Sequence, residues 1–131
     1  MQSFELADFN DFLRLARAQS EPQRLLFVFA QAEAASVSPV EGGGHLSPVL
    51  CVDKAPDEVV DFSQLVAESE TVQKSWDMMF VGALFGLGGN APTLEQADDV
   101  LHQMVDHIHA GKVSQYLVFD RRGEPVQMLA G

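Results

Sequence analysis

The stretch Asp77 to Asp120, DMMFVGALFGLGGNAPTLEQADDVLHQMVDHIHAGKVSQYLVFD, decides the fold. After Asp77 the next eight residues, Met78 to Phe85, are apolar or glycine, and Asp77 to Phe85 reads as a central strand. Gly86 to Pro92 then supplies a loop. Thr93 and Gln96 stand in the Thr-x-x-Gln arrangement of a capping box, in which each end satisfies the other's backbone N–H. Leu94, Ala97, Leu101, Met104, Val105 and Ile108 repeat at helical spacing and predict one buried stripe. Gly111 stops the helix, since glycine enters the left-handed region at low cost. Gln115 to Asp120 reads as a second strand. Strand, helix and strand together predict an α+β domain in which this unit could be parallel.

Outward from that unit the pattern continues. Asp8 caps a helix expected over Phe9 to Ala18, with Phe9, Phe12, Leu13 and Ala16 on one face. Ser20, Glu21 and Pro22 end it. Arg24 to Gln31 reads as a buried strand, and Leu46 to Val52 as a strand at an edge or bulge, because Pro48 cannot donate to a central ladder. Ala34 to His45, with Gly42, Gly43 and Gly44, is expected to be a mobile surface loop. Lys54 to Glu58 reads as a turn, and Asp61 caps a helix over Phe62 to Glu70. Glu124 to Leu129 is expected to pair with Gln115 to Asp120 around Arg121-Arg122-Gly123. The whole chain, residues 1 to 131, is expected to form a single α+β domain. Its sheet is mixed or largely antiparallel, or a small barrel, of about five strands with three helices.

Composition narrows the function classes. The 131 residues carry 8 Lys plus Arg against 19 Asp plus Glu, a formal net charge of -11. No surplus of cations is left to neutralise phosphates, so nucleic acid is not an expected partner. The longest apolar run, Met78 to Leu87, is about half of what a membrane span requires, so no membrane partner is expected. Cys51 is the only cysteine. It excludes an intrachain disulfide and a structural zinc site built from several thiolates, and a cytoplasmic location is expected.

Several stretches carry a resemblance: RLARAQSEPQRLLFVFA at Arg14 to Ala30, PVLCVDKAPDE at Pro48 to Glu58, GGNAPT at Gly88 to Thr93 and FDRRGEPVQ at Phe119 to Gln127. In these the chain resembles a family of short bacterial proteins often labelled "ribonucleotide reductase subunit alpha". The enzyme of that label is a much larger barrel that uses several cysteines in radical chemistry, which one cysteine cannot run. The resemblance therefore implies family kinship without reductase activity, and it brings no catalytic residues.

Four constellations could carry chemistry. Gly86, Gly88, Gly89 and Asn90 lie in a G-x-G-x-x-A match between strand and helix, where backbone amides could approach an anion. The cap at Thr93 places the helix start after the motif, and Asp120 lies too far on for a ribose-binding acid. Asp98, His102, Asp106 and His109 share a helix stripe that could form part of a metal site, but no second element offers ligands, so no metal and no cofactor are expected. Cys51 with His45 could form a nucleophile and base, although a cysteine inside an apolar strand ordinarily packs as a small hydrophobe. Finally, LCVDK at Leu50 to Lys54 and LVFDR at Leu117 to Arg121 end alike. If those ends meet, Asp53 and Asp120 could share a proton as the pair of a small aspartic-type hydrolase. The leading expectation is a non-enzymatic binding or assembly module for a protein or small molecule, with a homodimer through a strand edge as one form. The Asp53 and Asp120 hydrolase is the alternative.

Overall fold

A computed structural model describes residues 8–32, 46–73 and 75–126. Helix α1 (Phe9–Arg17) is followed by strands β1 (Gln23–Ala32) and β2 (Leu46–Lys54). A 3-10 turn at Pro56–Glu58 leads into α2 (Phe62–Glu70), and β3 (Met78–Phe85), α3 (Leu94–His109) and β4 (Leu117–Asp120) complete the order. The four strands form one open antiparallel sheet in the order β2-β1-β3-β4. The expected loop at Ala34 to His45 lies outside the described residues.

The three helix starts form where the sequence places caps. The Asp8 carboxylate accepts from Asp11 N at 3.0 Å, and that of Asp61 accepts from Gln64 N at 2.9 Å. Thr93 Oγ1 accepts from Gln96 N at 3.0 Å while Gln96 Oε1 accepts from Thr93 N at 2.9 Å. Each bond satisfies amides that the first helical turn leaves without partners.

Alternation along β1 builds two cores. Leu25, Phe27 and Phe29 face α1 and α2, in a cluster with Leu13, Leu65, Met79 and Phe119. Phe9 organises it, with ring centroids of Phe27, Phe62 and Phe119 at 5.9, 5.4 and 5.4 Å. Leu26, Val28 and Ala30 face α3 and pack with Phe80, Leu101, Met104, Ile108 and Val118. Gly82 sits where α3 comes closest: a Cβ there would lie 3.2 Å from Met104 Sδ. That explains a glycine inside a central strand. Trp76 plugs the α2 side, its indole donating to Ser69 Oγ at 2.9 Å and its face covered by the Arg121 guanidinium at 4.5 Å.

The expected α+β domain with three helices is present; two expectations need correction and two open alternatives are decided. The strand count is four rather than about five, and of the sheet and barrel alternatives the open, antiparallel sheet is the one that forms. β3 and β4 are antiparallel, so α3 is not a parallel crossover; it covers the face made by β1 and β2 and returns the chain beside β3 in the opposite direction. Residues 124–126 begin the expected hairpin, with Asp120 N donating to Glu124 O and Val126 N to Val118 O, but only the Phe119 to Pro125 bridge forms among the described residues. Residues 127–129 of that expected strand lie outside them. Leu94, placed in the buried stripe, is 69% exposed. It occupies the first turn of α3, beside Cys51, Val52 and Asp53 of the outer strand β2, and stays open to solvent.

Candidate functional site

β2 and β4 are the two outer strands, and this sets the distance between Asp53 and Asp120. Asp53 pairs with Leu26 on β1, while Asp120 pairs with Met78, which lies opposite Ala30. The two acids are therefore three strand spacings apart across the sheet and four residues apart along it, on the order of 20 Å. Such carboxylates cannot share a proton. Each has local work instead. Asp53 Oδ2 accepts from Arg24 Nε at 3.3 Å. Asp120 Oδ1 accepts from the amides of Arg122 and Glu124 at 2.8 and 3.0 Å, holding the turn that ends at Gly123.

The glycine-rich connection is a closed turn. Leu87 N donates to Asn90 O at 3.1 Å and Asn90 N to Leu87 O at 2.9 Å, with Gly88 and Gly89 between them at φ +59° and +83°. Gly86 has no room for a side chain, since a Cβ would stand 1.8 Å from Asn90 O. At the start of α3 the amides of Gln96 and Ala97 are already bonded to Thr93, and Glu95 in the first turn supplies the negative charge favoured at a helix N-terminus. The loop places Gly86, Gly88, Gly89 and Asn90 together for reasons of chain geometry, with two left-handed residues and one close approach.

Of the acidic and histidine stripe, Asp98 and His102 lie together, Oδ2 to Nδ1 3.9 Å. Among the described residues no group of three or more His, Cys, Asp or Glu is arranged to hold a metal ion. His45, the base suggested for Cys51, lies outside the described residues. Cys51 is exposed on the outer strand rather than packed as a small core residue, and the partial burial of its thiol, with a contribution from the Asp98 carboxylate, pushes it above its ordinary value, which keeps it protonated and poorly nucleophilic at neutral pH.

What the fold does assemble is a groove between the edge strand β2 and α3. Cys51 and Asp53 pair with the α3-facing residues Val28 and Leu26, and so they stand on the α3 side. The helix supplies Leu94, Glu95, Asp98, Leu101, His102 and Val105, enclosing about 730 Å³. The floor is apolar at Leu101 and Val105, and the rim is acidic at Glu95 and Asp98, while the charge of Asp53 is paired with Arg24. One part of this was readable in the sequence: Leu94 to His109 holds four acids and no Lys or Arg. Most of the described cations are engaged elsewhere. Arg14 pairs with Asp11, Arg17 donates to Val59 O and Arg121 pairs with Glu70 on the opposite face, while Lys54 reaches Glu68 at 3.1 Å. No helix among the described residues is long and apolar enough to cross a membrane. Comparison with known protein families, with curated proteins and with solved structures yields no match to this chain.

Proposed function

We propose that this protein is a non-enzymatic docking module that receives a basic segment of a partner protein in the groove between β2 and α3. The observation that carries this reading is the one-sided charge of α3 beside an open, apolar-floored channel. Glu95 and Asp98 line the groove, α3 contributes no Lys or Arg, and the exposed Leu94 offers an apolar contact at the rim. An apolar floor gives affinity, and an acidic rim selects Lys- or Arg-bearing partners and speeds their encounter. The separation of Asp53 from Asp120 removes the geometric basis of the hydrolase alternative.

The test is quantitative affinity capture from extract with the wild-type protein and with Glu95→Lys/Asp98→Lys, both positions being exposed and free of core contacts. The expected result is a set of basic proteins captured by the wild type, lost in the charge-reversed variant, and weakened as ionic strength rises past about 0.15 M, where the Debye length falls to about 8 Å. Capture that is identical for the two proteins, or indifferent to salt, refutes the groove as the docking site.

A further inference from the structure

The groove between β2 and α3 reaches the main chain of the outer strand. Val52 lines it together with Cys51 and Asp53, although the Val52 side chain packs on the opposite face of the sheet, with the α1 and α2 core. The ladder fixes which groups stand open there. Gly86 N donates to Pro22 O, so the even-numbered residues of β1 bond to β3 and the odd-numbered ones to β2, through Lys54, Val52 and Leu50. Cys51 and Asp53 alternate with those residues and direct both N–H and C=O away from β1. Among the described residues these main-chain groups have no partner.

The open stretch has definite ends. Toward the start of β2, Pro48 lacks an N–H and Val49 is an extra residue that breaks the register, and both discourage pairing there. Past the end of β2, Ala55 is bonded to Glu58, its N to Oε1 at 2.8 Å and its O to Glu58 N at 2.9 Å. Cys51 to Asp53 is what remains, and its two sides differ. On the α3 side stand Glu95 and Asp98, and Asp98 is near enough for its charge to act on the Cys51 thiol. On the other side are the partly buried, apolar Leu50 and Val52. A strand added here faces acids at the positions opposite Cys51 and Asp53, and apolar surface at the position opposite Val52.

We propose that Cys51 to Asp53 is a strand-addition site, where the basic segment received by the groove lies as a short strand with Lys or Arg opposite Cys51 and Asp53 and an apolar residue opposite Val52. The inference rests on the docking role proposed for the groove and adds the conformation and residue pattern of its occupant. Main-chain bonds to Cys51 and Asp53 select an extended backbone, while Glu95 and Asp98 select the charge of the side chains that alternate toward α3. That same charge disfavours a second copy of this chain. Pairing Cys51 with Asp53 across a two-fold axis brings Glu95 and Asp98 of both copies to one face of the joined sheet, and Arg24 and Lys54 are already held by Asp53 and Glu68. A basic segment meets those acids with the opposite charge.

The experiment has two stages on the whole chain. In the free protein, amide exchange followed by NMR should show Cys51 and Asp53 exchanging at least about tenfold faster than Val52 and Lys54, whose amides face β1. Protection of Cys51 and Asp53 in the free protein overturns the proposal, and protection that grows with protein concentration identifies a second copy as the occupant. Next, two octapeptides of equal composition are titrated at low ionic strength, one alternating lysine and valine, the other with four lysines followed by four valines. The alternating peptide should bind at least about tenfold more tightly and slow exchange at Cys51 and Asp53 at least about tenfold. Its affinity should fall at least about tenfold in Cys51→Pro, which removes an outward N–H, and hold in Cys51→Ser, which keeps it. The exchange readout on the wild type stands by itself if proline disturbs the strand. No binding, or equal binding of the two peptides, overturns the proposal. Binding that Glu95→Lys/Asp98→Lys abolishes but that leaves both amides exchanging freely retains the docking groove and overturns strand addition, whereas binding that survives the charge reversal overturns both.

Discussion

Replacing Gly86 with alanine separates a glycine needed for chain geometry from one that serves a bound anion. A Cβ at this position would lie 1.8 Å from Asn90 O and 2.8 Å from Asn90 C, so the turn must open. Opening it breaks the paired Leu87 and Asn90 hydrogen bonds and strains Gly86 N to Pro22 O. At roughly 1 kcal/mol per bond, with up to about 1 kcal/mol recovered because alanine stiffens the unfolded chain, the net loss is about 2 kcal/mol. For a domain of this size that corresponds to a melting temperature lower by roughly 6–10 °C. Gly88→Asn is the control, since φ is +59°, a Cβ meets nothing within 4 Å, and asparagine tolerates the left-handed region; its cost should stay below about 0.5 kcal/mol. Urea unfolding followed by fluorescence of Trp76, the single buried tryptophan, reports both variants. A parallel melt with about 1 mM pyrophosphate should leave the wild type unshifted, because a ligand stabilises only in proportion to its occupancy. Equal stability of Gly86→Ala and wild type, or a pyrophosphate-dependent rise that Gly86→Ala abolishes, would refute the reasoning and restore the anion cradle.

The remaining predictions use the same unfolding assay unless stated. Leu101→Ala should cost about 2–5 kcal/mol, since the side chain is 8% exposed under α3, whereas Leu94→Ala should cost under about 0.5 kcal/mol. Ser69→Ala should cost about 1–3 kcal/mol by leaving the buried Trp76 indole N–H without an acceptor. Asp120→Asn should be nearly neutral because an amide oxygen can still accept from Arg122 and Glu124, while Asp120→Ala loses both bonds and about 1–2 kcal/mol. Alkylation of Cys51 should titrate above the ordinary thiol value. The raised folded value means the neutral thiol is favoured in the fold, so its contribution is fully present below the unfolded value and is lost as pH rises through the folded one.

Caps and strand interiors were legible in the sequence because the interactions that form them are local. Asp8, Asp61 and the pair Thr93 and Gln96 bond to amides three residues away, so the helix starts could be placed without any knowledge of the fold. The apolar run in β1 announced a strand covered on both faces, that in β3 announced a central strand, and the proline at Pro48 announced the edge at β2. Four acids without a cation in Leu94 to His109 already declared a helix face of one charge.

Only the tertiary structure decided which strands are neighbours. The sequence allowed a parallel β3 and β4 and a meeting of Asp53 with Asp120; the order β2-β1-β3-β4 made the first pair antiparallel and sent the two acids to opposite edges. It also set the first turn of α3 beside the outer strand β2, with Leu94 exposed at the groove, and it left β3 longer than β4, which pairs only with Met78 to Val81. The physical reason is one of range. A cap or an alternating strand is specified by hydrogen bonds and side-chain directions within a few residues, whereas strand order, register and overhang follow from burying two apolar faces at once, and that energy is shared among residues far apart in the chain.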